Sequence, residues 1–283
     1  QYPQQVQYPQ QTQEQPQNAY TEQYYNYANC NTIPSSQGDF LNSYMDELNK
    51  KIQKKAAEKE LVSLGLLLGA TTICYLLFQV FAMFIFYAIP GLDAAYDTSS
   101  TVQNCSNLII VHIFSLLLPF SIMYLIAKKH YVHPLVPTKK LGFKNSLGWV
   151  AFGIGCCVVS DFIVGFLSMI SQSLGYELTQ GSLLEPDSVF ACVAIVFSTV
   201  LAPAVIEEFA FRCCSLGLLR KYGKGFAVVI VSVFFGLIHG NIIQFIFATL
   251  VGLILGYITV KTDNVVVAMV VHGLNNSMSV VSD

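Results

Sequence analysis

From residue 61 to its end the chain alternates long apolar runs with short polar breaks. The runs fall at about 61–89, 106–127, 146–174, 188–219, 225–240, 242–260 and 264–281. An α-helix crosses a bilayer with roughly 20 mostly apolar residues, so each run reads as a candidate span, the fourth long and the fifth short. Pro90, Gly91 and Asp97 punctuate the first exit, and Gly175, Gly181 and Pro186 the third. Ahead of the first run, residues 39–60 predict a polar juxtamembrane helix. Asp39 is its expected N-cap, and Lys50, Lys51, Lys54, Lys55 and Lys59 form a basic end that suits anionic lipid. Residues 1–38 are Gln, Tyr, Asn and Pro with a repeated QYPQQ phrase. They hold too little aliphatic surface to offset the entropy of ordering, which predicts a disordered tail. No apolar stretch follows a basic one there, so the tail is not a signal peptide. The expected fold is all-α: a polytopic transmembrane bundle of about 7–8 helices. Its expected parts are the tail 1–38, the polar helix 39–60, N-terminal transmembrane helices 61–187 and a C-terminal core 188–283.

Composition strengthens the membrane reading. Hydrophobic residues make up 54% of the 283 positions and charged residues only 11%, against roughly 25% charged in soluble domains. The net charge of −2 supplies no bulk basic field and argues against a nucleic-acid partner. Lys128, Lys129, Lys139, Lys140 and Lys144 sit in one break, and Arg220, Lys221 and Lys224 in another. The breaks 91–104 and 175–187 carry no Lys or Arg but hold Asp93, Asp97, Glu177, Glu185 and Asp187. This alternation predicts a multi-pass cell-membrane protein with its tail, its basic breaks and Lys261 in the cytoplasm. The eight cysteines show no C-x2-C spacing and are expected to pack as small hydrophobes. The chain opens on Gln1 rather than Met, so further residues are expected upstream.

Charged groups inside apolar spans cost at least ~2.5–3.5 kcal/mol each on insertion scales and are functional candidates by default. They gather at Glu207-Glu208-x-x-Phe211-Arg212, Phe235-x-x-x-His239, His272-x-x-x-Asn276 and the isolated Asp161. Glu208 and Arg212 are four apart and share a helical face, so the guanidinium can neutralise that carboxylate. Glu207 is rotated by ~100° and escapes the same contact. One carboxylate therefore reads as structural and the other as available for proton transfer. Glu207 and His239 lie equally far from the turn at Gly223, so an antiparallel hairpin sets them at one depth, with His272 well inside its own span. A glutamate and a histidine can hold and deprotonate a water, and a second histidine with a carboxamide can donate to an oxyanion. That chemistry is amide hydrolysis. Two histidines and a carboxylate are also a familiar zinc set, but H-E-x-x-H is absent, which favours a cofactor-free site over a zinc site.

At these residues the chain resembles the CPBP family of intramembrane proteases, also called Abi or CAAX-protease-like. The resemblance covers about 188–281 and rests on Glu-Glu-Phe-Ala-Phe-Arg at 207–212, Phe-Gly-Leu-Ile-His at 235–239 and His-Gly-Leu-Asn-Asn at 272–276. The family includes enzymes that trim prenylated CAAX proteins and bacterial members tied to bacteriocin processing or self-immunity. The resemblance implies a helical fold with 188–283 as its catalytic core. It implies that Glu207 activates a water assisted by His272, that His239 and Asn276 form the oxyanion hole, and that Glu208, Arg212 and Phe235 support them. The expected partners are a membrane-associated protein or peptide substrate and the lipid bilayer. Asn275 is a second candidate amide, although the spacing from His272 favours Asn276.

Other polar residues read more plainly. His112 in the second span is expected to be packed or interfacial, Gln244 to bond between helices, and Asp161 either to bond a neighbouring helix or to serve near the site. Gly236, Gly252 and Gly256 are expected to let helices approach closely. The competing functions are a non-catalytic scaffold or immunity protein, a zinc-dependent variant of the protease, and a proton-coupled carrier. The carrier would favour inverted repeats, and no clear internal repeat is present.

Overall fold

The computed structural model describes residues 35–130, 136–176 and 184–282. The tail expected to be disordered lies outside the described residues up to position 34, as do Glu177 and Gly181. Eight helices follow in order: α1 (Ser35–Ala88), α2 (Leu92–Thr98), α3 (Ser100–His130), α4 (Phe143–Ser173), α5 (Val189–Tyr222), α6 (Lys224–Leu237), α7 (Ile242–Thr262) and α8 (Val265–Ser282). No named strand occurs among the described residues; a single bridge joins Thr138 to Asn264. Five helices are long and apolar enough to cross a membrane: α1, α3, α4, α5 and α7. α6 and α8 are shorter apolar helices. The all-α polytopic bundle expected from the apolar runs is the observed fold.

Several boundaries differ from the pattern-based expectation. The polar stretch 39–60 and the first apolar run are one continuous helix, because nothing between them breaks helical hydrogen bonding. It starts at Ser35, so Asp39 is an interior residue and not a cap. The short α2 was not expected; it begins after Gly91, whose φ of 81° reverses the chain. The chain falls into two units, residues up to Ala57 and residues from Glu58 on. In the first, Lys51 pairs with Glu47 at 3.2 Å on an exposed helical face.

The second unit holds the bundle. One buried cluster joins Leu64, Leu68 and Tyr75 of α1 to Leu116, Phe120 and Met123 of α3 and to Phe211 and Phe235 of α5 and α6. Another joins Cys157 of α4 to Val251, Leu255 and Ile258 of α7 and Val267 and Val271 of α8. Large apolar side chains such as Phe81, Phe84, Phe162 and Phe166 are exposed on the outside, as a lipid-facing surface requires. The described cysteines are all free.

Lipid tails give no hydrophobic drive for helix association, so close backbone contact through small residues must supply it. The α6–α7 pair shows this. A Cβ on Gly252 would stand 3.0 Å from Ser232 Cβ, and one on Gly256 would stand 3.1 Å from a Val228 methyl. At Gly236 it would stand 2.6 Å from the Phe245 carbonyl oxygen and press on the Thr249 hydroxyl. A backbone oxygen cannot swing aside. Gly236→Ala is therefore expected to cost about 1–3 kcal/mol, the range of an overpacked core, read as a lower unfolding midpoint in detergent; an unchanged midpoint would show that the two helices separate freely.

Candidate active site

Hydrogen bonds and ion pairs identify the two ends of the bundle. At one end Arg220 Nη1 meets Asp263 Oδ1 at 2.8 Å and Lys221 Nζ meets Glu60 Oε1 at 2.6 Å. The Lys139 and Val265 amides donate there to the Asp263 and Pro137 carbonyls. At the other end the Ser100 hydroxyl donates to the Leu184 carbonyl, and Tyr96 donates to Asn107 Oδ1. The first end carries the basic residues, and the loops of the second carry acidic ones.

A cavity of about 1100 Å³ opens among the helix halves nearest the acidic end. Glu207, His239, His272 and Asn276 all line it, with Phe235 at its wall. Glu208 and Arg212 do not line it; they lie behind it, with 0% and 1% of their surface exposed.

Glu207 and Glu208 face different surroundings, as their rotation about α5 requires. Glu208 Oε1 accepts from His272 Nδ1 at 2.9 Å and lies 3.2 Å from Arg212 Nη1. Arg212 Nη2 donates to the Gly252 carbonyl at 3.3 Å, and its guanidinium lies 4.6 Å from the centre of the Phe235 ring. The edge-on Phe235 ring also packs against His239 and His272, with centroids at 5.2 and 5.9 Å. Phe235 thus contacts both imidazoles and the buried guanidinium. Glu207 has a looser setting. Its Oε2 is 3.8 Å from His272 Nε2 and its Oε1 is 4.0 Å from His112 Nδ1. Both separations are beyond a direct hydrogen bond.

Local structure places each group. α5 is wound as π-helix over Pro203–Glu207 and Phe209–Leu216, and α3 over Asn107–Leu117, which includes His112. Such turns are rare and occur preferentially at functional sites. His239 lies beyond the end of α6, not on a helical face as its spacing from Phe235 suggested. Its Nδ1 contacts the Phe235 carbonyl at 2.8 Å, and Gly240, at φ 72°, turns the chain away immediately after it. Asn241 then caps α7 by accepting from the Gln244 amide at 2.8 Å. Asn276 donates to the Thr199 carbonyl at 3.0 Å, tying α8 to α5, and Asn275 lines the same cavity.

His112, Asp161 and Gln244 also line the cavity. His112 is packed as expected, and it also faces the site. It is buried, and its Nδ1 has no hydrogen-bond partner. One histidine in an apolar run looks the same whether packed or functional. The only available signal was its place in a third span among other intramembrane histidines. Ser160 and Ser232 donate to helical carbonyls of their own turns. Among the described residues no three His, Cys, Asp or Glu side chains group as a metal-ligand set.

The fold and this cavity define a multi-pass membrane protein with an ionisable site among its helices. Residues 189–278 match the family model described as type II CAAX prenyl endopeptidase Rce1-like. The Bacillus subtilis (strain 168) protein "Putative membrane peptidase YdiL" is 25% identical over 149 residues, 51% of this chain and 61% of that protein. The chain thus spans 61% of that relative's length. No solved structure matches. Over this region the chain is similar to type II CAAX prenyl endopeptidase Rce1-like proteins.

Proposed function

We propose that this chain is an intramembrane endopeptidase in which Glu207 activates a water against a peptide bond of a membrane-associated protein or peptide. The carrying observation is the division of labour between adjacent carboxylates. Glu208 is held by Arg212 and His272, whereas Glu207 faces the cavity with imidazole nitrogens at 3.8 and 4.0 Å and no direct bond to either. A gap of that size between polar groups suits a bridging water.

Hydrogen-bond direction refines the roles. A carbonyl only accepts, so His239 Nδ1 carries the proton it gives to Phe235. Neutral His239 then presents a bare Nε2, which can take a proton and cannot donate one. His239 therefore acts first as proton acceptor beside Glu207, and only afterwards, once charged, as donor to the oxyanion. His272 gives its Nδ1 proton to Glu208 and turns Nε2 toward Glu207. The water oxygen bonds to the substrate carbonyl carbon while its proton passes to Glu207 or His239. Asn276 has one amide hydrogen committed to Thr199 and a second free for the developing oxyanion. Collapse breaks the C–N bond, and the held proton leaves with the amine.

The charge bias supports a cytoplasmic basic end, and in that orientation substrate would reach the cavity from the opposite half of the bilayer. No step of this mechanism uses a metal. The purified chain in proteoliposomes, supplied with a membrane extract, is expected to release defined peptide fragments by mass spectrometry, with the same yield after chelator treatment. Loss of the fragments with chelator and their return with zinc would replace the water-activating carboxylate by a metal. No fragments under any condition would reject the peptidase reading.

A further inference from the structure

The mechanism leaves one carboxylate in the cavity unused. Asp161 lies seventeen residues beyond Lys144 on α4, deep in an apolar span. With Val164, Gly165 and Ser168 it forms one stripe of α4 that lines the cavity. It has no hydrogen-bond or ion-pair partner among the described residues. A carboxylate at that depth is costly, and such groups normally pair with a cation or face a polar pathway.

The cavity supplies no such cation. None of the residues lining it is Lys or Arg, and its acidic groups are Asp161 and Glu207. The nearest loops add Asp93, Asp97, Glu185 and Asp187 and again no Lys or Arg. Field lines in a cleft with low-dielectric walls are focused rather than screened, so this half of the protein attracts positive charge. There is also room for it. A Cβ on Gly165, one turn from Asp161, would meet nothing within 4 Å. A second observation marks the cavity as built to receive a polar ligand: buried His112 lines it with an unpartnered Nδ1. The volume of about 1100 Å³ exceeds what a lone inorganic cation needs and accommodates a run of peptide side chains.

We propose that the cavity holds a subsite for a cationic side chain, with Asp161 as its counter-ion. The favoured substrate is then a membrane-inserted peptide carrying Lys or Arg close to the cut bond, entering from the acidic end. The peptide identity of the ligand rests on the endopeptidase reading; the cation preference rests on the cavity alone. The pairing compensates two unfavourable burials at once, because a lone Lys or Arg in the bilayer also needs a partner.

The test separates the two. The full chain with Glu207→Gln is placed in nanodiscs and offered a fluorescein-labelled, leucine-rich peptide with one arginine, or the same peptide with neutral, isosteric citrulline. The arginine peptide is expected to bind about tenfold more tightly, one decade in Kd. Adding Asp161→Asn is expected to collapse that ratio to about one, and Asp161→Glu to preserve it. Equal binding of the two peptides, a ratio that survives Asp161→Asn, or no binding of either peptide overturns the subsite. Protein with Glu207 intact is then given the arginine peptide, and products are read by mass spectrometry. An uncut peptide with an intact binding ratio would reject the peptidase and keep the cation site. A cut peptide with no ratio would do the reverse.

Discussion

Glu207→Gln is expected to lower peptide-bond cleavage by about 10²–10⁴-fold, the range supplied by a positioned general base, with little change in the unfolding midpoint. The amide has nearly the shape of the carboxylate and keeps an oxygen toward one imidazole. It cannot accept a proton, so only the chemical step is lost. The neighbourhood makes the contrast sharp. Glu208 is fully buried and already accepts from His272 at 2.9 Å, so it cannot take over. His112→Phe removes the other imidazole beside Glu207, at 4.0 Å, and is expected to lower turnover by a smaller factor. His112→Asn keeps a donor near the Nδ1 position and should recover part of that loss. These effects are measured as fragment release from a membrane substrate at matched protein level. Wild-type turnover in the Glu207→Gln protein would remove the carboxylate from the mechanism, whatever the cavity looks like.

The spans were legible because their information is local. Twenty apolar residues in a row satisfy a bilayer whatever their neighbours, so the runs at 146–174 and 242–260 differ only slightly from Phe143–Ser173 and Ile242–Thr262. Pairs four apart were legible for the same reason, and Glu208 does meet Arg212 on one helical face. Features set by packing were not. The π-winding of α3 and α5 changes which side of the helix each residue presents, and nothing in Asn107–Leu117 announces it. His239 looked helical by spacing, but the helix ends at Leu237, and Gly240 turns the chain. His112 lies in α3, outside the matched region 189–278, where no motif could draw attention to it. The hydrogen bond from His239 to Phe235 decides which ring nitrogen is bare, and that is a fact of coordinates, not of residue types.

The other large effect concerns stability. Arg212→Met is expected to destabilise the bundle by about 3–5 kcal/mol, the cost of leaving a buried charge without its partner. Glu208 has none of its surface exposed, and its Oε2 finds no hydrogen bond even with Arg212 in place. Without the guanidinium, only His272 would answer its charge, and the Gly252 carbonyl and the Phe235 ring would lose contacts as well. The double variant Arg212→Met with Glu208→Leu removes the charge and the need for compensation together. Dry ion pairs replaced by apolar residues of similar size often lose little stability, so the double variant is expected to unfold close to the wild-type midpoint. Cleavage should not return with it. His272 Nδ1 would have no acceptor, its ring would lose its fixed orientation, and Nε2 would no longer be held toward Glu207. Unfolding in detergent and fragment release, measured on the same three preparations, therefore give opposite rankings for the single and double variants. A double variant that regains both stability and activity would show that the pair serves only to fill space. One that regains neither would show that the fold itself requires the buried charges. The expected split, stability restored and activity absent, assigns the pair to orienting His272.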